Sequence, residues 1–305
     1  MNVVVAGGTG FIGRSLCKRL LLCGHRVTIL TRRRTEVERL FGTMVKPIEW
    51  DGTSSGCWEE ALQGTQAVVN LAGASIAEAR WTESRKQLLT QSRLNATRAL
   101  VQACFRLPVT PQVLINASGI GFYGHQDDRV VDEASPAGKG FLADLCVQWE
   151  SAAQKAAAKG IRTVCLRTGL VLGDDGGALP RMVLPFRLFI GGPAGPGTQW
   201  VSWIHRDDYA GLIEWTLSTP SVSGPVNAVA PEPVTMTEFC RTLGQVLHRP
   251  SWIPVPEVVF GLALGELGSL MTTGQRVKPA KAEQGGYRFQ YSYLTKALQN
   301  IFTLQ

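Results

Sequence analysis

Short, unbroken apolar runs alternate with longer stretches in which apolar residues recur every three or four positions, and the alternation holds from Val3 to Leu166. Val3, Val4, Val5 and Ala6 form the first run, the pattern of a strand covered on both faces. His25 to Thr31, a segment ending at Glu49-Trp50-Asp51, Ala67 to Gly73, Val113 to Gly119 and Ile161 to Leu166 repeat it. Helical periods lie between them. From Arg14 onward Leu16, Leu20 and Leu21 mark one face, and Gly24 stops the helix. Arg85 to Phe105 carries Leu88, Ser92, Ala96, Ala99, Leu100 and Ala103, and Pro108 and Pro111 end it. Gly140 to Lys159 carries Leu142, Leu145, Cys146, Trp149, Ala153 and Ala156. Strands and helices alternating at these lengths predict an α/β fold, a Rossmann-type doubly wound parallel sheet with helices on both faces.

The pattern changes after the sixth run, which divides the chain into a nucleotide-binding domain over 1–172 and a smaller C-terminal α/β substrate region over 173–305, interleaved with the sheet near its start. Pro180 to Ile190 is apolar and bears arginines, and Gly191 to Gly197 is too rich in Gly and Pro for regular structure. Gln199 to Ile204 returns as a strand with Trp200 and Trp203, a segment that reads as a flap with aromatic walls over a flat or sugar-like ligand, although for each tryptophan taken alone a place in the core is the stronger reading. Thr237 to Leu247 reads as a helix, Pro250, Pro254 and Pro256 as an extended connector, and Leu294 to Ile301 as the closing helix.

Chemistry enters at the first strand-to-helix junction, Gly7-Gly8-Thr9-Gly10-Phe11-Ile12-Gly13. A strand that hands over to a helix within a few residues aims the helix's free N–H groups at whatever sits above the turn, and an anion is stabilised there. Gly7 permits the turn, Gly10 lets a pyrophosphate approach, and Gly13 lets the helix pack on the strand. Gly7, Gly10, Phe11 and Ile12 are therefore candidate cofactor contacts. At the end of the second strand a fold selecting NAD places an acid for the ribose hydroxyls, but this chain has Thr31-Arg32-Arg33-Arg34. Arginine makes bidentate contacts to phosphate, so the expected cofactor is NADP(H), with Arg32 as its partner. Ala72 and Gly73, at the end of a buried run, are expected at the carboxyl edge where ligands bind.

Composition removes several alternatives. The 305 residues are 45% apolar and 18% charged, ordinary for a globular protein, and the net charge of +7 has only Arg32 to Arg34 as a dense basic run. Solubility and one local anion site account for that charge, so a small-molecule substrate is expected and neither nucleic acid nor membrane. Seven scattered cysteines without C-x-x-C spacing argue against zinc, against any other metal site and against a disulfide framework, and fit a reducing compartment. Val258 to Met271 is too short and too interrupted to span a bilayer, and the chain starts directly on a strand. The cytoplasm is the expected location.

The glycine turn, Asn70-Leu71-Ala72-Gly73, Ser118 through Phe122-Tyr123-Gly124, Arg167-Thr168-Gly169 and Trp203-Ile204-His205-Arg206-Asp207-Asp208 together resemble the extended short-chain dehydrogenase/reductases. Leu184-Pro185-Phe186-Arg187, Gly191-Gly192-Pro193, Ser202-Trp203-Ile204-His205 and Gly274-Gln275-Arg276-Val277 are similar to its epimerase family protein subgroup, whose bacterial members were once labelled division inhibitors. The resemblance implies that Thr31 and Arg32 hold the adenosine phosphate end, that Leu71 and Ala72 line the cofactor, and that Val171 lies near the nicotinamide. Arg93 stands where members usually carry Asn, within reach of the pyrophosphate, the substrate or a carboxylate partner.

The departures concern catalysis. The family's Tyr and Lys, spaced Tyr-x-x-x-Lys, fall here on Leu142 and Cys146, and its Ser or Thr falls on Gly119, with Ser118 one step earlier. A proton donor must then come from Ser118, Tyr123 or His205, with Lys139 and Asp144 behind them. The resulting expectation is an NADP(H)-dependent oxidoreductase of atypical extended type, acting on a small polar or sugar-like substrate. A nucleotide-sugar epimerase-like enzyme and a non-catalytic NADP(H) sensor are the alternatives. The oligomeric state is not set by the sequence.

Overall fold

The computed structural model describes residues 1–253, 266, 268 and 272–303. In chain order it contains β1 (Asn2–Ala6), α1 (Phe11–Leu22), β2 (Arg26–Thr31), α2 (Arg34–Phe41), β3 (Lys46–Glu49), β4 (Ala67–Asn70), α3 (Glu83–Arg106), β5 (Val113–Gly119), α4 (Phe141–Gln154), β6 (Arg162–Thr168), α5 (Leu179–Arg187), α6 (Arg206–Ser218), β7 (Gly224–Ala228), α7 (Met236–Leu247), α8 (Ala280–Gln284) and α9 (Leu294–Thr303), the strand labels being kept for the central sheet. That sheet has seven parallel strands in the order β7-β6-β5-β4-β1-β2-β3. The chain winds outward from β1 to β3, then returns to β4 on the other side of β1. Ala6 pairs with Asn70, so β1 and β4 end level and the crevice above them is the topological switch point.

Alternation along β1 divides the core between the two faces. Val3 and Val5 pack with Leu16 and Leu20 of α1 and Leu212 and Ile213 of α6, whereas Val4 and Ala6 pack with Ala96 and Leu100 of α3. A third core joins Leu179, Val183, Phe186, Trp203, Phe239, Leu243 and Leu298 beside the sheet. Residues beyond 172 also complete the sheet layer, through β7 and through α6 against α1.

Four local expectations are corrected. The first helix starts at Phe11 rather than Arg14, because Gly10 takes the extended cap conformation (φ −69°, ψ 171°). On α3 it is Leu89 that is buried, while Leu88 is 47% exposed, one position being a turn of about 100° around the helix. The strand expected over Gln199 to Ile204 is two short ones, Trp200–Val201 and Trp203–His205. Ser202 breaks them, its hydroxyl donating to Gln275 O (2.7 Å) and accepting from Val277 N (3.0 Å). Trp203 walls no flap; it is fully buried and donates to Glu232 O (3.0 Å), while Trp200 is held by Asp128 (2.9 Å) and the Arg276 guanidinium (4.3 Å).

The proline connector is described only to Ile253; Pro254, Pro256 and nearly all of 258–271 lie outside the described residues. Among the described residues no helix is long and apolar enough to cross a membrane, and no group of three His, Cys, Asp or Glu side chains is placed to hold a metal ion. All seven cysteines are free.

Candidate functional site

The glycines of the first turn have separate jobs. Gly7 has φ +82°, and a Cβ there would lie 2.9 Å from the Leu71 carbonyl carbon, so only glycine lets β1 and β4 end side by side. A Cβ at Gly13 would overlap the Gly7 carbonyl oxygen and lie 2.7 Å from Gly8 Cα, which closes α1 onto the turn. At Gly10 the protein leaves more room: among the described residues the only atom within 4 Å of an added Cβ is Gly7 O at 3.3 Å, and the residue is exposed. The free side of Gly10 faces whatever occupies the crevice. α1 has no side-chain cap and no acid in its first turn, so its leading amides are left to an external anion.

Phe11 contributes to the turn through its main chain. Its ring sits in a cradle of Gly173, Gly176 and Gly177, where added Cβ atoms would come within 2.7–2.9 Å of it. Arg14 bonds Asp175 (3.1 Å) and Arg206 bonds Asp174 (3.2 Å) and Asp175, so this loop is clamped between α1 and α6. A cavity of about 340 Å³ lies behind that clamp, lined by Arg14, Lys18, Arg19, Asp175 and Arg206. None of Gly7, Gly10, Thr31, Arg32, Leu71, Ala72 and Gly73 lines it, so it is not the dinucleotide crevice.

At the end of β2 the Thr31 hydroxyl accepts from Arg33 N (3.1 Å), and the Arg33 guanidinium pairs with Glu36 (3.0 Å). Arg32 is exposed and has no ion pair among the described residues. Of the first two arginines of the run it is the one left free for a phosphate. Across the crevice, Leu71, Ala72 and Gly73 are positioned by Asn70, a residue the sequence reading quoted but gave no role. Its amide donates to Asn116 Oδ1 (2.7 Å) and Thr97 Oγ1 (2.9 Å), while its Oδ1 accepts from Ala72 N (3.1 Å). An Asn closing an apolar run was the available signal. Val171 is buried and pairs with Ile204, so it presents backbone rather than a free side chain.

Ser118 and Tyr123 come together in one closed network. Ser118 donates to Glu150 Oε1 (2.7 Å), Arg167 donates to both Glu150 oxygens (2.9 Å each) and to the Tyr123 hydroxyl (3.0 Å), and Tyr123 donates to Asn227 Oδ1 (2.7 Å). Phe122 covers the Arg167 guanidinium at 3.4 Å. Ser118 is 5% and Tyr123 0% exposed, and burial pushes the phenol up to about 12. Glu150 and Asn227 were not singled out from sequence, and Arg167 was quoted only as part of a motif, since only the fold brings α4, β6 and β7 to the end of β5. Toward the crevice, Leu142 presses on Gly121, where a Cβ would be 2.9 Å from it, and Cys146 is buried, its thiol raised by that burial, with Sγ 3.7 Å from the Cβ position of Gly119.

His205 stands apart from this network. Its Nδ1 accepts from Asp207 N (3.1 Å), capping α6, and its ring lies on Tyr291 (4.0 Å) at 1% exposure. Burial lowers its pKa to about 4, with Asp207 pulling the other way. Folding therefore favours the neutral ring. The stability this contributes is complete above about pH 6.5, the unfolded value, and is lost as the pH falls toward about 4, a total of about 3 kcal/mol. Glu133 and Asp208, carboxyls raised by burial, contribute with the opposite sign. The expected result is thus a difference: urea denaturation of His205→Asn, which keeps a capping acceptor, falls less steeply than wild type between pH 6.5 and pH 4. Parallel curves would contradict it.

The profile of the NAD dependent epimerase/dehydratase family matches residues 3–229, and that of a domain of unknown function, DUF1731, matches residues 255–301. The chain is 43% identical over 303 residues to the epimerase family protein SDR39U1 homolog, chloroplastic, of Arabidopsis thaliana, covering 99% of this chain and 86% of that protein. It is 41% identical over 302 residues to the epimerase family protein YfhF of Bacillus subtilis, covering 99% and 98%. Among solved structures, the human epimerase family protein SDR39U1 (isoform 2) with NADPH superposes with a TM-score of 0.88 at 35% identity, over 100% of both chains.

Proposed function

Because the chain belongs to the NAD dependent epimerase/dehydratase family, we propose that its sheet-edge crevice binds NADP(H) and that the protein is an oxidoreductase acting on a small polar or sugar-like molecule. The observation that carries the cofactor choice is Arg32, exposed and without an ion pair at the end of β2, where an NAD site would place an acid. The human relative's structure with NADPH supports the same reading. Arg32→Asp is expected to weaken NADPH binding about 30-fold and NADH binding less than about threefold, measured by calorimetry. Equal losses for both would remove the phosphate argument.

The residues present fit the cofactor. The open side of Gly10 and the uncapped amides of α1 hold the diphosphate, Thr31 and Arg32 the adenosine phosphate end, and Leu71, Ala72 and Gly73 form the opposite wall. When bound, the nicotinamide supplies or accepts a hydride. Leu142, Gly119 and Cys146, at the family's acid–base positions, are not equipped to move a proton, and Ser118, Tyr123 and His205 are internal. In this reading the proton comes from water. The seven free cysteines are in keeping with a reducing compartment such as the cytoplasm.

The same closed network favours a second reading, a non-catalytic NADP(H) sensor. NADPH absorbance separates the two: its decay with a carbonyl substrate panel supports the oxidoreductase, and unchanged absorbance with tight binding supports the sensor. An epimerase-like activity, which needs a base at the oxidised carbon, has less in its favour.

A further inference from the structure

Two aromatic rings that neither the cofactor wall nor the closed network uses stand together at the carboxyl edge. Trp81 lies on the connection from β4 to α3, and Phe141 is the first residue of α4, on the connection that leaves β5. Both therefore sit on the β4–β5 side of the crevice. Their rings meet edge to face, with centres 5.3 Å apart at 72°, and both residues are half-buried. Among the described residues neither ring packs into one of the apolar cores. Leu142 follows directly and presses on Gly121, so the strip stays apolar up to the position where the family carries its tyrosine. The C-terminal region closes on the same place. The Arg181 guanidinium of α5 donates to Ala77 O, and Lys86, whose Nζ lies 5.6 Å from the centre of the Phe141 ring, pairs with Glu266. The aromatic pair thus stands where the two regions of the chain meet, a preferred place for a small ligand.

The polar groups around the pair are already taken by the protein. The Trp81 indole donates to Ile76 O (3.1 Å), Lys86 is shared between Glu83 (3.3 Å) and Glu266, and Arg85 is held by Glu78 (2.9 Å) and Ser75 O. Ser118 and Tyr123 belong to the closed network, and Arg93, beneath Gly73, stands on the cofactor's side of the crevice. A sugar gives up a hydrogen bond to water at each buried hydroxyl and needs a partner for each, and rings beside committed donors return few. A flat π-system needs none of these. It stacks on ring faces, and the indole's bond to Ile76 holds one such face in place before any ligand arrives.

We propose that Trp81 and Phe141 bind the flat face of the substrate, so that the molecule reduced in the crevice is an aromatic or conjugated carbonyl compound rather than a sugar. The inference rests on the reading of the protein as an NADP(H)-dependent oxidoreductase and deepens it by naming the substrate class. The reaction balances with what that reading supplies. The carbonyl carbon takes a hydride, with its two electrons, from NADPH and forms a C–H bond; the C=O π bond opens and the oxygen takes a proton from water, leaving an alcohol, NADP+ and hydroxide.

Calorimetric titration of two ketones into the NADP+-saturated protein, where no hydride is available, tests it by binding alone. Benzylideneacetone is flat and conjugated; cyclohexylbutanone has the same carbon skeleton, fully saturated and puckered. Wild-type protein is expected to bind the flat ketone about tenfold more tightly. Trp81→Leu and Phe141→Leu keep an apolar side chain and remove a ring. Each is expected to weaken the flat ketone about fivefold and to leave the saturated ketone and NADP+ within about twofold, whereas Trp81→Phe keeps most of the preference. Equal affinity for the two ketones in wild type, binding of neither, or tighter binding of glucose than of benzylideneacetone overturns the proposal. So does an unchanged preference in both leucine variants. A parallel loss for NADP+ and both ketones assigns the rings to packing of the wall and overturns it as well. Should Trp81→Leu not fold, Phe141→Leu decides by the same readings. Failure of NADP+ and NADPH to bind wild type defeats the reading beneath, and the inference with it.

Discussion

Gly10→Val is expected to fold like the wild-type protein and to lose NADPH binding by about 100-fold or more. The protein sets only a small limit at this position: φ is −69°, and among the described residues the one atom near a new Cβ is Gly7 O at 3.3 Å, a tight contact that a shift of a few tenths of an ångström relieves. Replacing a glycine cap by valine costs about 1 kcal/mol or less in stability. The added methyls instead occupy the space through which a diphosphate reaches the leading amides of α1. The same change at Gly13 has the opposite signature, because a Cβ there overlaps the Gly7 carbonyl and lies 2.7 Å from Gly8 Cα, so the loss falls on folding. Urea denaturation and NADPH titration of both variants check the contrast. A Gly10→Val protein that binds NADPH normally would contradict the placement of the cofactor.

Glu150→Ala is expected to cost about 4 kcal/mol of stability. Glu150 takes two bonds of 2.9 Å from Arg167 and one of 2.7 Å from Ser118, all inside the protein. Removing the carboxylate leaves the Arg167 guanidinium buried with only the Tyr123 hydroxyl and the Phe122 ring beside it. Joining Glu150→Leu to Arg167→Met should restore most of the loss, since no charge is then stranded. A single variant within about 1 kcal/mol of wild type would show that the pair is looser than its geometry. If the double variant also keeps NADPH affinity, the network holds the wall of the site rather than the cofactor.

Both expectations turn on which features the chain spells out locally. The strand ends at Ala6 and Thr31, the turn at Gly7 and the free amides of α1 follow from neighbouring residues, because a four-residue apolar run and a glycine act over a few positions. The same holds for Arg32, whose meaning comes from standing just after β2. Errors arose where the signal was finer than one helical turn, as with Leu88 for Leu89, or where a short segment split between partners, as at Ser202. Trp203 stayed open between the core, where it lies, and a ligand wall, because a tryptophan in either place has the same neighbours in sequence.

By itself, then, the sequence determined the parallel sheet, the glycine turn that follows its first strand and the arginines that follow its second, since periodicity and turn chemistry are local. Only the tertiary structure decided what the polar residues inside are committed to. Tyr123 meets Asn227 across 104 positions, Ser118 meets Glu150 across 32, and Arg93 meets no carboxylate at all among the described residues. Pairing and burial are set by which distant segments arrive at the same point, and whether a hydroxyl, an imidazole or a guanidinium is spent or free depends on that arrival.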